Sequence, residues 1–377
     1  MINSEVLEIK KQMKHENCTI TKICGCYVDG EKEIKTKFTE SFLCLPEEET
    51  FKYFEIFKKS LSGTIGKNLI NMEFPMETEF NGGTQEFLLK LRDSELKEET
   101  LLEEFYNKII QMYDYVGNYL ILLVRAAYDV PGRTKDKILN DDASDEVYSY
   151  LLCSICPVNL TKPGISYNTE ENLFQKRIQD WVVGYPCNGF LFPAFNDRST
   201  DIHSILYYSK DPEAQHIDFV NQLLGCEVPI SAGEQKEIFQ TLIEETLGDD
   251  CDMETIKNIH DKLNERIEDH KDIPEPLTLN KTEVKDLLSD SGVSEEKLKD
   301  FDKNYEEKTG VNVSLLASNI VNTRTFEIKT PDIIIKINPE RTDLVETKIV
   351  DGRKCLVIEI SDQVEVNGII IKHNLNA

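Results

Sequence analysis

Seven consecutive residues, Asp197 to His203, bring two carboxylates, a guanidinium, two hydroxyls and an imidazole together as DRSTDIH. If Asp201, Ile202 and His203 enter a strand, alternation points Asp201 and His203 to the same face. A carboxylate beside an imidazole orients it as a general base or supplies half of a metal site. Arg198 is suited to hold a carboxylate or phosphate through two parallel N–H bonds. The plainer reading makes Asp197 and Ser199 turn formers, pairs Arg198 with a neighbouring acid and leaves His203 a hydrogen-bonded sheet residue. The next histidine is His216 and no HExxH helix is present, so the cluster yields no metal ligand set.

Three other groupings have chemical potential. Arg133 and Lys135, in the basic stretch DVPGRTKDK from Asp129 to Lys137, follow an apolar run and could meet an anionic ligand at a strand end; an ordinary exposed loop with local ion pairs is the alternative. Cys24-Gly25-Cys26 and Cys153-Ser154-Ile155-Cys156 are close thiol pairs of the kind that complete tetrahedral zinc sites. The flanks of the second, YLLCSICPV, are apolar, which favours cysteine as a small buried hydrophobe. Ser62 to Asn68, SGTIGKN, fails the phosphate-loop spacing and follows a helix pattern, so it reads as a helix end and turn. No cofactor is identified, and GxSxG, dinucleotide and kinase signatures are absent.

The elements that would position the Asp197 cluster are the apolar runs on either side of it, GFLFPAF and SILYY, which read as strands bracketing a displayed loop. Before them the sequence predicts a helix over Glu5 to Lys14 and a hairpin turning at Asp29-Gly30. A helix after Pro46 opens with three glutamates, and two more run through Phe87 to Leu91 and Leu101 to Ile110. The run at Tyr119 predicts a strand ending at a Pro131-Gly132 turn, and Val147 to Val158 a second one. Phe174 to Val183, with the only tryptophan, Trp181, is compatible with a helix.

Beyond residue 230 the composition changes. Ser231 with Glu234 and Asn280 with Glu283 match capping boxes, and Ile256, Ile259, Leu263 and Ile267 form a narrow apolar stripe on a very polar helix, suited to a neighbouring helix or a partner protein. From Thr325 strands return, with Asp351-Gly352 and Asn367-Gly368 as hairpin turns. The expected architecture is α+β. A mixed β-sheet domain with flanking helices spans 1–228, an acidic helical segment 229–320, and a small antiparallel C-terminal sheet 321–377.

A chain of 377 residues with 40% hydrophobic and 30% charged residues has ample material for more than one core. Its formal net charge of −26 opposes binding to nucleic-acid phosphates and to anionic membrane surfaces, and no basic stripe offsets it. The first residues carry no secretory signal and the run at Tyr119 is too short for a bilayer. Ten cysteines without an export signal point to a reducing cytoplasm.

With CTITKICGCYVDGEKEI, YDVPGRTKDK and FLFPAFNDRSTDIHSILYYSKD all present, the chain resembles a bacterial family catalogued as domain of unknown function 4317, over most of its length and most specifically at Asn196 to Ser204. The resemblance implies a bacterial cytoplasmic protein and brings no catalytic residue, substrate or cofactor with it. Two functional readings follow from the residues. The first is a non-enzymatic binding or regulatory protein that meets a protein partner through the acidic helical segment. The second is a hydrolase or phosphotransfer enzyme using Asp197, Arg198, Asp201 and His203. The sequence sets no oligomeric state.

Overall fold

The apolar run at Tyr119 becomes a long central strand of an eight-stranded sheet. The computed structural model describes all residues except Thr78, Asn81, 134–138, Gln215, Asn312, 361–363, Asn367 and 372–377, and for 133 and 139–145 only the backbone. The chain folds as two units, Met1–Ala232 and Gly233–Ala377. No described helix is long and apolar enough to cross a membrane.

The first unit opens with α1 (Asn3–Lys11), β1 (Ile20–Val28), β2 (Ile34–Ser41), α2 (Glu47–Ser60), β3 (Leu69–Glu73), α3 (Thr84–Asp93) and α4 (Glu99–Met112). Next come β4 (Asn118–Arg133), β5 (Leu139–Leu160), β6 (Ile165–Asn168), β7 (Leu173–Lys176), β8 (Trp181–Val183) and β9 (Asn188–Phe192). Then follow β10 (Ala194–Asn196), β11 (Ser199–Asp201) and β12 (Ser204–Ser209), before a closing helical turn at Phe219–Leu224. The sheet order is β2-β1-β4-β5-β9-β12-β3, with β8 also on β5. The α+β class is as expected, but each named pairing in this sheet is antiparallel where a mixture of directions was expected.

Both faces of the sheet are buried, which is why its strands read as continuous apolar runs although antiparallel sheets often leave one face wet. Along β4, Tyr119, Ile121 and Leu123 join the core under α3 and α4, while Leu122, Val124 and Ala126 join the core under α1 and α2. Each fully buried Leu, Ile or Phe there contributes ~1.5–3 kcal/mol of transfer free energy. Local signals set the helix ends: α2 carries Glu47, Glu48 and Glu49 in its first turn and Lys58 and Lys59 in its last, matching the macrodipole.

Two local expectations are corrected. Pro131-Gly132 does not end β4; the strand continues to Arg133 opposite Leu139, and the register shifts at Pro131 and again at Gly132. A proline without an N–H is accommodated as an irregularity in the ladder. Phe174 to Val183 is not helical but forms β7 and β8, because its aromatic and β-branched residues pair across a ribbon.

The second unit contains α5 (Ala232–Leu247), α6 (Met253–Asp269), β13 (Thr278–Leu279), α7 (Lys281–Asp290), α8 (Phe301–Thr309), β14 (Leu315–Leu316) and α9 (Ala317–Ile320). Asp252 caps α6 by accepting from Thr255 N–H, and Asn280 with Glu283 forms the expected capping box of α7. The antiparallel C-terminal sheet takes the form of three separate two-stranded ribbons: β15 (Phe326–Lys329) with β16 (Ile334–Ile337), β17 (Val345–Val350) with β18 (Arg353–Ile358), and β19 (Val364–Val366) with β20 (Ile369–Ile371).

Candidate functional site

The DRSTDIH segment lies in and beyond a small hairpin off the main sheet. Strands β10 and β11 pair at Asn196 and Ser199, and the two residues between them, Asp197 and Arg198, have φ of 50° and 57°. Positive φ at both central positions is the turn geometry that matches the twist of a two-residue hairpin. Asp197 is exposed at the tip, near the Met1 ammonium. Burial lowers the pKa of that ammonium, against the opposing charges of Glu5, Asp201 and Asp197.

Arg198 folds back onto the N-terminal helix. Its Nε and Nη2 donate to the Glu8 carboxylate at 3.1 and 2.9 Å, and Nη2 also donates to the Pro131 carbonyl at 3.0 Å. Tyr128 adds its hydroxyl to Glu8 at 3.0 Å. The hydrogen bond to Glu8 holds the guanidinium pKa above its ordinary value. Both partners are largely buried, with side-chain exposures of 11% for Arg198 and 21% for Glu8.

Glu146 of β5 clamps the other side of the hairpin. It accepts from Ser199 Oγ at 2.7 Å, from Thr200 N–H at 3.1 Å and from the Thr200 hydroxyl. The Ser199 and Thr200 hydroxyls hold the Glu146 pKa below the usual value. A carboxylate whose pKa is depressed on folding stabilises the fold above its unfolded pKa, and that contribution is lost as pH falls through the folded value. Denaturant titrations from pH 6 toward pH 3 should therefore show stability falling below about pH 4.5, with Glu146 contributing to the fall. Glu146→Gln should make that acid limb shallower; an unchanged limb would remove Glu146 as its cause.

Asp201 and His203 do not form the same-face pair expected of a strand. His203 sits in the turn between β11 and β12, where the Asp201 carboxylate accepts from its backbone N–H at 3.0 Å and from Asn196 Nδ2 at 2.6 Å. Burial pushes the Asp201 pKa up, but the donors Ser204, Asn196 and His203 N–H outweigh it and hold it low. The imidazole turns away instead, to Glu79, with Nδ1 at 2.8 Å from each carboxylate oxygen. That hydrogen bond raises the His203 pKa, and the ring is 60% exposed. Of the basic candidates, Arg133 closes β4 with only its backbone described, and Lys135 lies outside the described residues.

The thiol pairs separate by strand parity. Cys24, Cys26 and Cys153 face the core under α3 and α4, whereas Cys156, three residues from Cys153, faces the opposite core. Four thiols divided between two faces of a sheet cannot surround one metal. Burial pushes the Cys26 thiol up to about 11 and raises the Cys153 and Cys156 thiols further, so all three remain protonated and unreactive.

In the second unit the apolar stripe of α6 is mostly spent internally. Ile259 and Leu263 are buried in the unit's own core, and Ile256 and Ile267 are partly buried at its margins. Each margin opens on a cavity. One, of ≈1110 Å³, is lined by Ile267, by acids of α6 and of the 339–343 segment, and by Arg341. The other, of ≈520 Å³, is lined by Ile256 and Met253 of α6. Phe326 to Lys329 of β15, Thr347 of β17 and Lys354 to Leu356 of β18 complete it. Sequence reasoning missed this cleft; its only local signal was three short strands with apolar residues at successive exposed positions.

The family model described as domain of unknown function (DUF4317) matches residues 1–369, and the chain belongs to that family. No curated protein matches it.

Proposed function

We propose that this family member is a non-enzymatic binding protein that acts through protein–protein contacts and holds an extended segment of a partner in the cleft between β15 and β18. The observation that carries this reading is the composition of the ≈520 Å³ cavity wall. Four successive residues of β15 and three of β18 line it. A cavity over the face of a strand touches alternate residues, so runs of successive residues mark a cavity beside the backbone edges. Among the described residues β15 pairs only with β16 and β18 only with β17, which leaves each with an open edge. An added strand would satisfy N–H and C=O groups on both sides.

The side chains set the chemistry of the occupant. Ile256, Phe326, Ile328 and Leu356 provide apolar contact; of the charged residues on the wall, Glu327 pairs with Lys336 and Lys354 acts electrostatically on Asp252, while Lys329 has no ion pair to a described residue. A segment with apolar residues at alternate positions and one carboxylate fits this wall. The acidic helical region thus contributes through the start of α6 rather than through the whole of its stripe. The hydrolase or phosphotransfer alternative has less support, because Arg198 is engaged by Glu8 and the Asp201 carboxylate serves the His203 backbone, not its ring. Ten free cysteines accord with a reducing cytoplasmic setting.

Fluorescence anisotropy with short labelled peptides tests the reading. Acidic–apolar alternating hexapeptides should bind with Kd of ~1–100 μM, and basic ones at least tenfold more weakly. N-methylation of alternate peptide amides should abolish binding, as should Lys329→Glu with Lys354→Glu. Binding that survives backbone methylation would eliminate strand addition.

A further inference from the structure

We infer that the segment from Val158 to Val183 is a self-association arm through which two copies of this chain dimerise, independently of the cleft between β15 and β18. Strand β5 outruns the main sheet. Val158 still pairs with Asn118 of β4 as well as with Val183 of β8, but among the described residues Asn159 and Leu160 pair only with β8, and the ladder continues outward through Thr161 N–H to the Asp180 carbonyl and Arg177 N–H to the Gly164 carbonyl, both 2.9 Å, into β6 and β7. The result is one two-stranded ribbon that leaves the sheet and turns back at 169–172.

This ribbon is apolar and uncovered. Ile165 is 76% exposed, Phe174 75%, Ile178 78% and Trp181 56%. Tyr167 lies directly opposite Phe174, ring centroids 5.3 Å apart, and Ile165 opposite Lys176, so Ile165, Tyr167 and Phe174 share one face of the tip. Leu160 opposite Trp181 and Val158 opposite Val183 share one face of the base. A lone two-stranded ribbon is at best marginally stable in water, so this one needs a covering surface. With ~200 Å² per large side chain and about half of it exposed, the nine exposed hydrophobics from Leu160 to Val183 present on the order of 900 Å² over the two faces of the ribbon together. A stable dimer takes ~800 Å² from each partner, which arms wrapped on both faces can supply.

Charge selects a second copy as the occupant. On a chain of net −26, two copies repel over most of their surfaces. The arm is the exception, with Lys162, Lys176 and Arg177 balancing Glu170, Glu171 and Asp180. Those six form no ion pair with one another or with another described residue. When two arms cross antiparallel about a two-fold axis, the tip acids Glu170 and Glu171 of one meet Lys176 and Arg177 of the other. Such a contact is self-complementary, as a two-fold interface requires.

Sedimentation velocity and light scattering on the full chain test this. The wild type should be a dimer at ~10 μM, within the range that an interface of this size supports. Ile165→Glu with Phe174→Glu should weaken dimerisation on the order of 100-fold and leave the far-ultraviolet circular dichroism of the folded chain essentially unchanged, since both side chains are exposed, while the melting temperature loses its dependence on protein concentration. Lys176→Glu with Arg177→Glu should dissociate the dimer, and mixing that variant with Glu170→Lys plus Glu171→Lys should restore it as a heterodimer. A monomeric wild type, a dimer indifferent to the arm variants, or a charge-swapped pair that does not associate would each overturn the inference.

Discussion

Arg198→Ala should cost the N-terminal unit about 3 kcal/mol of stability, because it leaves the largely buried Glu8 carboxylate without its cation. Glu8 would retain Tyr128 as a neutral donor, which cannot replace two charge-assisted bonds. For a unit of this size the loss corresponds to roughly 6–12 °C in melting temperature. Arg198→Lys should recover only part of it, since an ammonium cannot reach the Glu8 carboxylate and the Pro131 carbonyl with the same planar fork. Replacing both partners with apolar residues, Glu8→Leu with Arg198→Met, should be closer to wild type than Arg198→Ala alone. Denaturant unfolding of the three variants and the wild type gives the ranking; an Arg198→Ala protein as stable as wild type would mean that the fork is not what ties β10 and β11 to α1.

Gly189→Ala should be comparably damaging for a different reason. A Cβ at Gly189 would stand 2.4 Å from the Cys153 carbonyl oxygen, and that atom belongs to the backbone of the neighbouring strand β5. A flexible side chain could move aside, but a carbonyl held in a central ladder can yield only by displacing β5 or β9. Overpacking of this kind costs about 3 kcal/mol. Gly164→Ala is the matched control. No heavy atom lies within 4 Å of its Cβ position and its φ is not positive, so its effect should stay within ~0.5 kcal/mol. Equal melting temperatures for the two variants would refute the close-approach account.

The parts of this fold that were legible in sequence are those governed by neighbours a few residues apart. The α7 capping box, the charged turns of α2 and the hairpin turn at Asp351-Gly352 each follow from side chains within one helical or strand turn of each other. The separation of Cys153 from Cys156 was also available: an odd spacing in a strand places two residues on opposite faces. Two misreadings came from local preference being outweighed. Pro131-Gly132 was absorbed as a ladder irregularity because β5 supplied a partner on both sides of it. Trp181 went into a ribbon because Leu160, some twenty residues earlier in the chain, lay opposite.

By itself the sequence determined the α+β class, most element positions, the family and the acidic surface, since periodicity, capping and composition are properties of local or summed residues. The DRSTDIH segment showed which functional groups were present, but not what they faced. Only the tertiary structure decided that Arg198 would find Glu8 across 190 residues, that Glu146 would clamp Ser199 and Thr200, and that the His203 ring would turn to Glu79 and not to Asp201. These pairings depend on which strands become neighbours, and that is settled by burial of two whole sheet faces at once. The same burial in the first unit left the Val158 to Val183 ribbon exposed, and the second unit's own core left the gap between β15 and β18 open; these are the two surfaces for which partners are proposed.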